Sequence, residues 1–390
     1  MKLKDDFPIT RQLIYFDNSV MGLMPESTLK MIDDYTSTLT HHMRGKEKYR
    51  IYMGGFPGYE NARNRSKETF SKVIGAHFEE IACVSNATTG VNTIFNMIPL
   101  EKGDNIVATD LLYPMGAAAV HNQSRRGAAS RFIKGSGGIV ETSDFEKAID
   151  DNTKIVYIDH AGWFNGILFD LPALAEITHS HGAYLVVDAT QSFGAIDWQI
   201  DRTGVDFAAT STFKWLLGGI WSISSGFMYV NKEHVNSFQP AYAGDMTWEK
   251  KPIADSPEGY TQYDFTPQSG SHRFEVFRGT DLSYLAAMNS MEVLLDHGMA
   301  NIEAQIKKLD TRMVDGLLEM GYKLQTPVEE ERRSFVNVIV PDPAGTSKKL
   351  REEGISVSSR WGGLRVAPNF YNTEAEVDIF LKKLDNIVKS

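Results

Sequence analysis

The chain has 390 residues, 42% of them hydrophobic, and a formal net charge of −10. This is the composition of a soluble globular protein, and the length predicts one large and one smaller domain because a single core rarely grows so large. The acidic excess argues against a nucleic-acid partner, since phosphate binding needs a basic face. The sequence shows no signal peptide and no apolar stretch long enough to cross a membrane, so we expect a cytoplasmic protein.

The one cysteine, Cys83, excludes a disulfide within the chain and fits a reducing compartment. Its neighbours form the apolar run Ile81-Ala-Cys-Val. A thiol in such a run is typical of a buried, unreactive side chain. We therefore expect Cys83 to take no part in chemistry.

The middle of the chain alternates short apolar strands with helical patterns. The clearest helix follows Asp170, which can cap its first turn, carries Pro172 in that turn and ends at Gly182. The pattern predicts an α/β fold with a mostly parallel sheet covered by helices on both faces. Strands are predicted at 105–109, 154–158, 184–188, 206–210 and 225–230.

The last third of the chain has a different pattern. A stretch from Phe238 to His272, rich in Pro, Gly, Asp and aromatic residues, predicts a long irregular excursion. A long helical pattern then runs from Asp281 towards Met313, an alternating strand covers 334–340, and a helix covers 374–388. We divide the chain into an N-terminal segment at 1–20, a large domain at 21–280 and a small C-terminal domain at 281–390.

Two predicted strands end in residues that can carry chemistry. Asp188 ends one strand, and Lys214 follows the end of another. In open parallel sheets, ligands bind beyond the carboxyl ends of the strands. A lysine amine forms a Schiff base with a carbonyl cofactor, and a carboxylate can hold a pyridine nitrogen protonated. The pair indicates an imine-forming cofactor, with Gln191 in reach of a ring hydroxyl and Ser211 and Thr212 near a phosphate.

A hydroxyl-rich turn at 85–92 could bind a second part of that cofactor. Backbone N–H groups and the dipole at a helix N-terminus favour a dianion such as phosphate. Ser, Thr and Asn also cap helices without binding anything, so the turn alone is weak evidence. Likewise, Asp188 could merely cap a helix and Lys214 could be an exposed lysine. Neither explanation accounts for the other residue.

Other functions have less support in the sequence. Ser211 and Lys214 fit the Ser-x-x-Lys pattern of acyl-serine hydrolases, but the companion elements Ser-Asp-Asn and Lys-Thr-Gly do not occur. No metal site is predicted, because His41 and His42 are adjacent rather than at ligand spacing. A non-catalytic cofactor-binding protein stays open as an alternative.

Six motifs stand in order along the chain, at 15–25, 87–90, 187–191, 211–215, 273–280 and 364–373. Together they resemble the class V aminotransferase family of fold-type I enzymes dependent on pyridoxal 5′-phosphate. The resemblance implies that cofactor, a large domain with a seven-stranded type of sheet, a smaller C-terminal α+β domain, and an N-terminal segment packed near the active site. It also implies a homodimer with active sites at the interface and an amino-acid substrate.

The resemblance also implies a role for each matching residue. Lys214 would be the Schiff-base lysine, Asp188 would pair with the pyridine nitrogen, and Arg365 would bind the substrate α-carboxylate. A planar two-pronged donor suits that carboxylate. The other cofactor-binding candidates are Gln191 at the ring oxygen, Tyr113 stacked on the ring, Thr88, Thr89 and Ser211 at the phosphate, and Thr280 reaching a phosphate across the dimer interface. Asn18, Trp163 and Arg360 are further candidates for substrate binding.

The departures from the family pattern narrow the expected reaction. Desulfurases carry a mobile cysteine before the position of Arg365, but residues 354–364 contain none. Phe213 and Tyr113 stand where desulfurases have histidines, and the segment from His160 resembles the epimerase-like, C–S lyase and selenocysteine lyase-like branch. His160 itself is expected to be structural. We expect β-elimination from a sulfur-containing amino acid, with transamination or epimerisation as the alternative.

Overall fold

The computed structural model describes residues 5–41, 61–219, 225–244, 246–249, 266–276 and 281–389. Thr280, His42 and part of the predicted excursion from Phe238 to His272 lie outside these residues. The α/β fold predicted from the sequence is confirmed.

A seven-stranded sheet forms the centre of the molecule. Its strands are β2 (Ile81–Val84), β3 (Asn105–Thr109), β4 (Ala129–Ile133), β5 (Thr153–Asp159), β6 (Tyr184–Asp188), β7 (Phe207–Ser211) and β8 (Gly226–Val230). They stand in the order β2-β8-β7-β6-β5-β3-β4, and β8 alone runs antiparallel to its neighbours. The strands other than the partly exposed edge strand β4 are almost entirely buried, which explains their largely apolar sequences.

The helices of the described residues surround this sheet and a smaller C-terminal sheet. The predicted helix after Asp170 is confirmed: the Asp170 side chain accepts a hydrogen bond from the Ala173 N–H, and the helix runs over Leu171–Ser180. The helices are α1 (Glu26–His41), α2 (Ala62–Ile74), α3 (Ala87–Met97), α4 (Pro114–Asn122), α5 (Thr142–Ala148), α6 (Leu171–Ser180), α7 (Asp281–His297), α8 (Met299–Glu319), α9 (Pro343–Glu352) and α10 (Glu374–Lys389).

The long helical pattern from Asp281 is two helices rather than one. Gly298 separates α7 from α8 with a φ of 82°, a left-handed conformation that glycine adopts without strain. Helix α7 packs against α1 and α2, and its buried side chains join the core under the large sheet. The predicted domain boundary near Asp281 stays a prediction.

The C-terminal region contains two small sheets. The three-stranded sheet has the order β11-β12-β9 and is antiparallel, with β9 at Val336–Ile339, β11 at Ser358–Arg360 and β12 at Gly363–Val366. A short parallel pair joins β1 (Ile14–Tyr15) to β10 (Ile355–Ser356). This pairing places the N-terminal segment against the C-terminal region, beside the arginine-bearing strands.

The described helices include none that combines the length and the apolar character needed to cross a membrane.

Candidate active site

A cavity of about 480 Å³ opens at the carboxyl ends of the central strands. Strands β5, β6 and β7 end at Asp159, Asp188 and Ser211, while Tyr113 follows β3. Parallel strands bring their carboxyl ends to one edge of a sheet, so side chains far apart in sequence meet there. The predicted site residues that line the cavity are Thr88, Tyr113, Trp163, Asp188, Gln191, Ser211, Lys214, Arg360 and Arg365.

Lys214 lies near the aromatic side of this cavity. Its Nζ is 5.7 Å from the centroid of the Tyr113 ring and 5.8 Å from that of Phe213. Burial, reinforced by the charge of Arg365, lowers the pKa of Lys214 from 10.5 to about 8, although nearby carboxyls oppose the shift. The amine is therefore far more often unprotonated at neutral pH than that of an ordinary lysine.

The N-terminal segment packs directly on the backbone of Lys214. The Gly22 N–H donates a hydrogen bond of 2.9 Å to the Phe213 carbonyl. A Cβ at Gly22 would meet the Lys214 carbonyl oxygen at 1.9 Å, so only glycine permits this approach. Ser19 and Val20 continue from here into the cavity lining.

Asp188 is held by the turn that follows its strand. Its Oδ1 accepts the Thr190 N–H at 2.9 Å. Burial raises the pKa of Asp188, while the bonds from Thr190 and the charge of Lys214 work against that rise. Gln191 is held on both sides: its Nε2 donates to the Ser19 carbonyl at 3.0 Å, and its Oε1 accepts the Trp215 indole N–H at 2.8 Å.

The N-terminus of α3 faces the same cavity. Asn86 caps this helix, because its side chain accepts the Thr89 N–H at 2.9 Å. Ser211 Oγ accepts the Ala87 N–H at 2.9 Å, which ties the helix start to the end of β7. Thr88 lines the cavity, but Thr89 does not: its hydroxyl donates to the Asn86 side chain.

Two arginines from the small antiparallel sheet complete the cavity. Arg365 is 3% exposed, and its Nη1 donates to the Trp163 carbonyl. Its Nε has no hydrogen-bond partner among the described residues. Burial and the neighbouring charge of Arg360 lower the pKa of Arg365 to about 10, which leaves it cationic at neutral pH.

Asn18 lies beside the site without lining the cavity. Its side chain is buried and donates to the Ala367 carbonyl at 2.7 Å. Its Oδ1 accepts the Tyr371 hydroxyl. These contacts fasten the N-terminal segment to the strand that carries Arg365.

His160 and Cys83 both lie outside the cavity lining. His160 packs edge-on against Trp198 at a centroid distance of 4.6 Å, and burial lowers its pKa to about 3, so it is neutral. Cys83 is buried in β2, and burial, together with the charge of Glu275, raises the pKa of its thiol to about 12. The structure places both side chains in packing environments.

Asp159 is the main lining residue that the sequence analysis missed. It ends β5, and its Cα pairs in register with that of Asp188 on β6. The rule that pointed to Asp188, a carboxylate at the carboxyl end of an apolar strand, applies equally to Asp159. Other lining residues not singled out as site candidates are Ser19, Val20, Asn86, Ala87, Met115, Ala161, Thr190 and Phe213.

The chain matches a family model over nearly its whole length. The model, Aminotransferase class-V, matches residues 14–380. The chain is 26% identical to a "Probable cysteine desulfurase" of Pyrococcus abyssi, with 100% of this chain and 97% of that protein covered. It is 22% identical to a kynureninase of Shouchella clausii, covering 100% and 91%.

Solved structures share the fold. The structure of the cystine C–S lyase C-DES with its reaction product cysteine persulfide superposes with a TM-score of 0.84 at 18% identity, covering 97% of this chain and 99% of that one.

Proposed function

Because the chain belongs to the class-V aminotransferase family, whose cofactor is pyridoxal 5′-phosphate, we propose that it catalyses β-elimination from a sulfur-containing amino acid. One observation supports elimination over desulfuration through a protein thiol. The Lys214, Asp188 and Arg365 side chains line one cavity, while the chain's one cysteine is buried elsewhere.

The cavity has the groups that pyridoxal 5′-phosphate needs. Lys214 supplies an amine with a lowered pKa, and Asp188 a carboxyl for the ring nitrogen. Thr88, Ser211 and the N-terminus of α3 supply donors for the phosphate. Tyr113 supplies a ring beside the amine. When bound, the cofactor takes up the electron pair that remains once a proton leaves the substrate α-carbon.

Arg365 is the proposed anchor for the substrate carboxylate. Its guanidinium is buried, and its Nε has no partner among the described residues. An uncompensated donor at this depth is costly, and a carboxylate can satisfy two guanidinium N–H groups at once. Trp163 and Arg360 line the cavity near this position and are proposed to contact the rest of the substrate.

Lys214 is the proposed acid and base. With a pKa of about 8, its amine can accept the α-proton and, once protonated, deliver a proton to the leaving sulfur. His160 is neutral and outside the lining, so it does not compete for this task. The Phe213 and Tyr113 rings border the amine and limit its contact with water.

The absence of a nearby thiol separates this proposal from a desulfurase mechanism. Desulfuration needs a reactive thiolate to take up sulfur, and a thiol with a pKa near 12 is almost entirely protonated at neutral pH. Cys83 does not line the cavity. Elimination needs no protein thiolate, because the sulfur departs as part of the leaving group of the substrate.

The test is a substrate panel read by its products. Cysteine, cystine, kynurenine and alanine, which has no β-leaving group, are each incubated with the purified protein, and pyruvate, sulfide or persulfide, and keto acids are measured. Elimination predicts pyruvate and a sulfur product only where a leaving group is present. Keto acid from alanine with a suitable acceptor would assign transamination instead, and stereoinversion without pyruvate would assign epimerisation.

Cofactor attachment is tested separately. Borohydride is predicted to remove the visible absorption band of the protein and to leave the cofactor attached to Lys214 as a reduced adduct that water cannot hydrolyse. Lys214→Ala is expected to lose the adduct, while the exposed Lys147→Ala keeps it. The same adduct in Lys214→Ala would show that the lysine is assigned wrongly.

We also propose a homodimer in which Thr280 contributes to the partner's phosphate site. Thr280 lies outside the described residues, so this rests on the family resemblance. Light scattering of the purified protein gives the test, and a mass of one chain at micromolar concentration would contradict it. The expected cytoplasmic location stays a prediction.

A further inference from the structure

We propose that Asp159 is a second acid of this site. It stays protonated, so that the Asp159–Asp188 pair carries one net negative charge, and it positions the Tyr113 backbone. The proposal concerns the cofactor cavity, so it stands or falls separately from β-elimination. Asp159 is the last residue of β5 and lines the cavity.

The register of the sheet brings the two carboxyls together. Asp159 and Asp188 are Cα partners on the neighbouring parallel strands β5 and β6. Partners in register project their side chains from the same face of the sheet, and neighbouring strands lie about 4.8 Å apart. Two carboxyls so placed cannot both ionise at ordinary cost, because like charges disfavour each other.

The surroundings of Asp159 also favour a protonated carboxyl. Its side chain is 5% exposed, and Oδ1 has no hydrogen-bond partner among the described residues. An ionised oxygen buried without a donor is strongly disfavoured, whereas a proton on it removes the charge. Burial and the charge of Asp188 accordingly raise the pKa of Asp159 well above its usual range.

The other oxygen of Asp159 fixes the loop that carries Tyr113. Oδ2 accepts the Tyr113 backbone N–H at 2.6 Å. Tyr113 precedes α4, and its ring lies 5.7 Å from Lys214 Nζ. Asp159 therefore joins the predicted ring-stacking residue to the strand beside Asp188.

Among the described residues, the other charged and titratable groups considered around Asp159 belong to the same cavity or to the segment of chain that carries Asp159. The positive charge of Lys214 acts to lower the pKa of Asp159 and so favours the ionised carboxylate. Arg360 and Arg365 also line the cavity. Tyr157 on β5 and His160, which directly follows β5, are buried and neutral. With Asp159 protonated, the pair holds one negative charge. That charge matches the single positive charge that Asp188 is proposed to hold on the cofactor ring.

The proton also affects Lys214. A second carboxylate in the cavity would raise the pKa of Lys214, since both Asp188 and Asp159 act in that direction. A neutral Asp159 leaves the amine free to react at neutral pH.

Infrared spectroscopy of the full-length chain, freed of cofactor, tests the proposal directly. A protonated carboxylic acid has a carbonyl band that shifts in heavy water and is distinct from the amide bands. At pH 7 the wild type is expected to show a band of this kind that Asp159→Asn loses and that is separate from any band of Asp310. Asparagine keeps an oxygen that can accept the Tyr113 N–H.

The coupling to Asp188 is tested with a second variant. In Asp188→Asn the Asp159 band is expected to be present at low pH and to disappear as the pH rises. Its midpoint should be lower than in the wild type by about one pH unit or more, because the neighbouring charge is gone. Asp310→Asn is the matched control. Asp310 is also buried, with a pKa raised well above the usual range, but it lies in α8 and does not line the cavity. Asp310→Asn identifies the Asp310 band, and in chains that keep Asp310 this band is expected to titrate at the same pH with and without Asp188→Asn.

Two results would overturn the proposal. One is a pH 7 spectrum of folded Asp159→Asn that matches the wild type. The other is an Asp159 band with the same midpoint in wild type and Asp188→Asn. If Asp159→Asn does not fold, as judged by circular dichroism, the midpoint shift in Asp188→Asn decides alone.

Discussion

The lowered pKa of Lys214 predicts the pH dependence of cofactor attachment. With a pKa of about 8 instead of 10.5, about one amine in ten is unprotonated at pH 7. The ordinary value would leave about one in three thousand, so the gain in reactive amine is about 300-fold. The rate of attachment to cofactor-free protein should therefore rise about tenfold per pH unit and level off near pH 8.

Substitution of Arg365 tests the cause of the lowered Lys214 pKa. Its charge is the second contribution to the lowered pKa of Lys214, after burial. In Arg365→Leu the pKa of Lys214 should rise, and the break in the rate profile should move to higher pH. The rate is followed by the growth of the cofactor band, and the same reaction of a free lysine derivative is measured in parallel as the reference profile.

The profile can refute this account of the site in two ways. A rate that still rises tenfold per unit between pH 9 and 10 would show that Lys214 titrates like an exposed lysine. A break that stays at the same pH in Arg365→Leu would show that the arginine charge does not act on the amine. Lys147→Ala should reproduce the wild-type profile, because Lys147 is on the surface.

Three further predictions follow from the cavity and the segment packed on it. Arg365→Lys should lower kcat/KM by about 10- to 100-fold, because lysine cannot form the paired hydrogen bonds of a guanidinium; steady-state kinetics on the best substrate measures this. Cys83→Ala should leave sulfur release within about twofold of wild type, since the thiol is buried away from the cavity; a complete loss would indicate a desulfurase mechanism. Gly22→Ala should lower the Tm and weaken cofactor retention, because the new Cβ would meet the Lys214 carbonyl oxygen at 1.9 Å; an unchanged Tm in a thermal scan would contradict the close approach.

The strand ends could be predicted from the sequence because their signals are local. A run such as Tyr184–Asp188 is apolar up to its last residue and then polar, and this pattern marks both the strand and the position of its carboxylate. Lys214 follows β7 in the same way. In a parallel sheet, local signals suffice to bring such residues together, since every strand ends at the same edge.

Local sequence patterns could not predict the features that depend on strand register or on small differences in free energy. The pairing of Asp159 with Asp188 requires β5 and β6 to be neighbours in one register, which no local pattern states. The break at Gly298 could not be predicted, because one glycine costs a helix only about 1 kcal/mol. The helical apolar pattern continues on both sides of Gly298, so it favoured one uninterrupted helix. Thr89 resembles Thr88 in sequence, yet only Thr88 reaches the cavity, because the Asn86 cap engages Thr89.

The proposed determinant of substrate choice, Arg360, lies on a different part of the fold from Lys214 and Asp188, the residues proposed to hold the cofactor. Lys214 and Asp188 are at the ends of buried central strands, whereas Arg360 lies at the tip of the β11–β12 hairpin. Trp361, at that tip, has a φ of 49°, which is unusual for a bulky residue. Two contacts fix its position: its carbonyl accepts the Gln325 side-chain N–H at 2.6 Å, and its ring stacks on Phe164 at a centroid distance of 4.9 Å. A strained turn persists only where its surroundings fix it. A family with several reactions can therefore keep the strand ends and change its substrate through this hairpin, which makes Arg360 the position where relatives with different substrates are expected to differ.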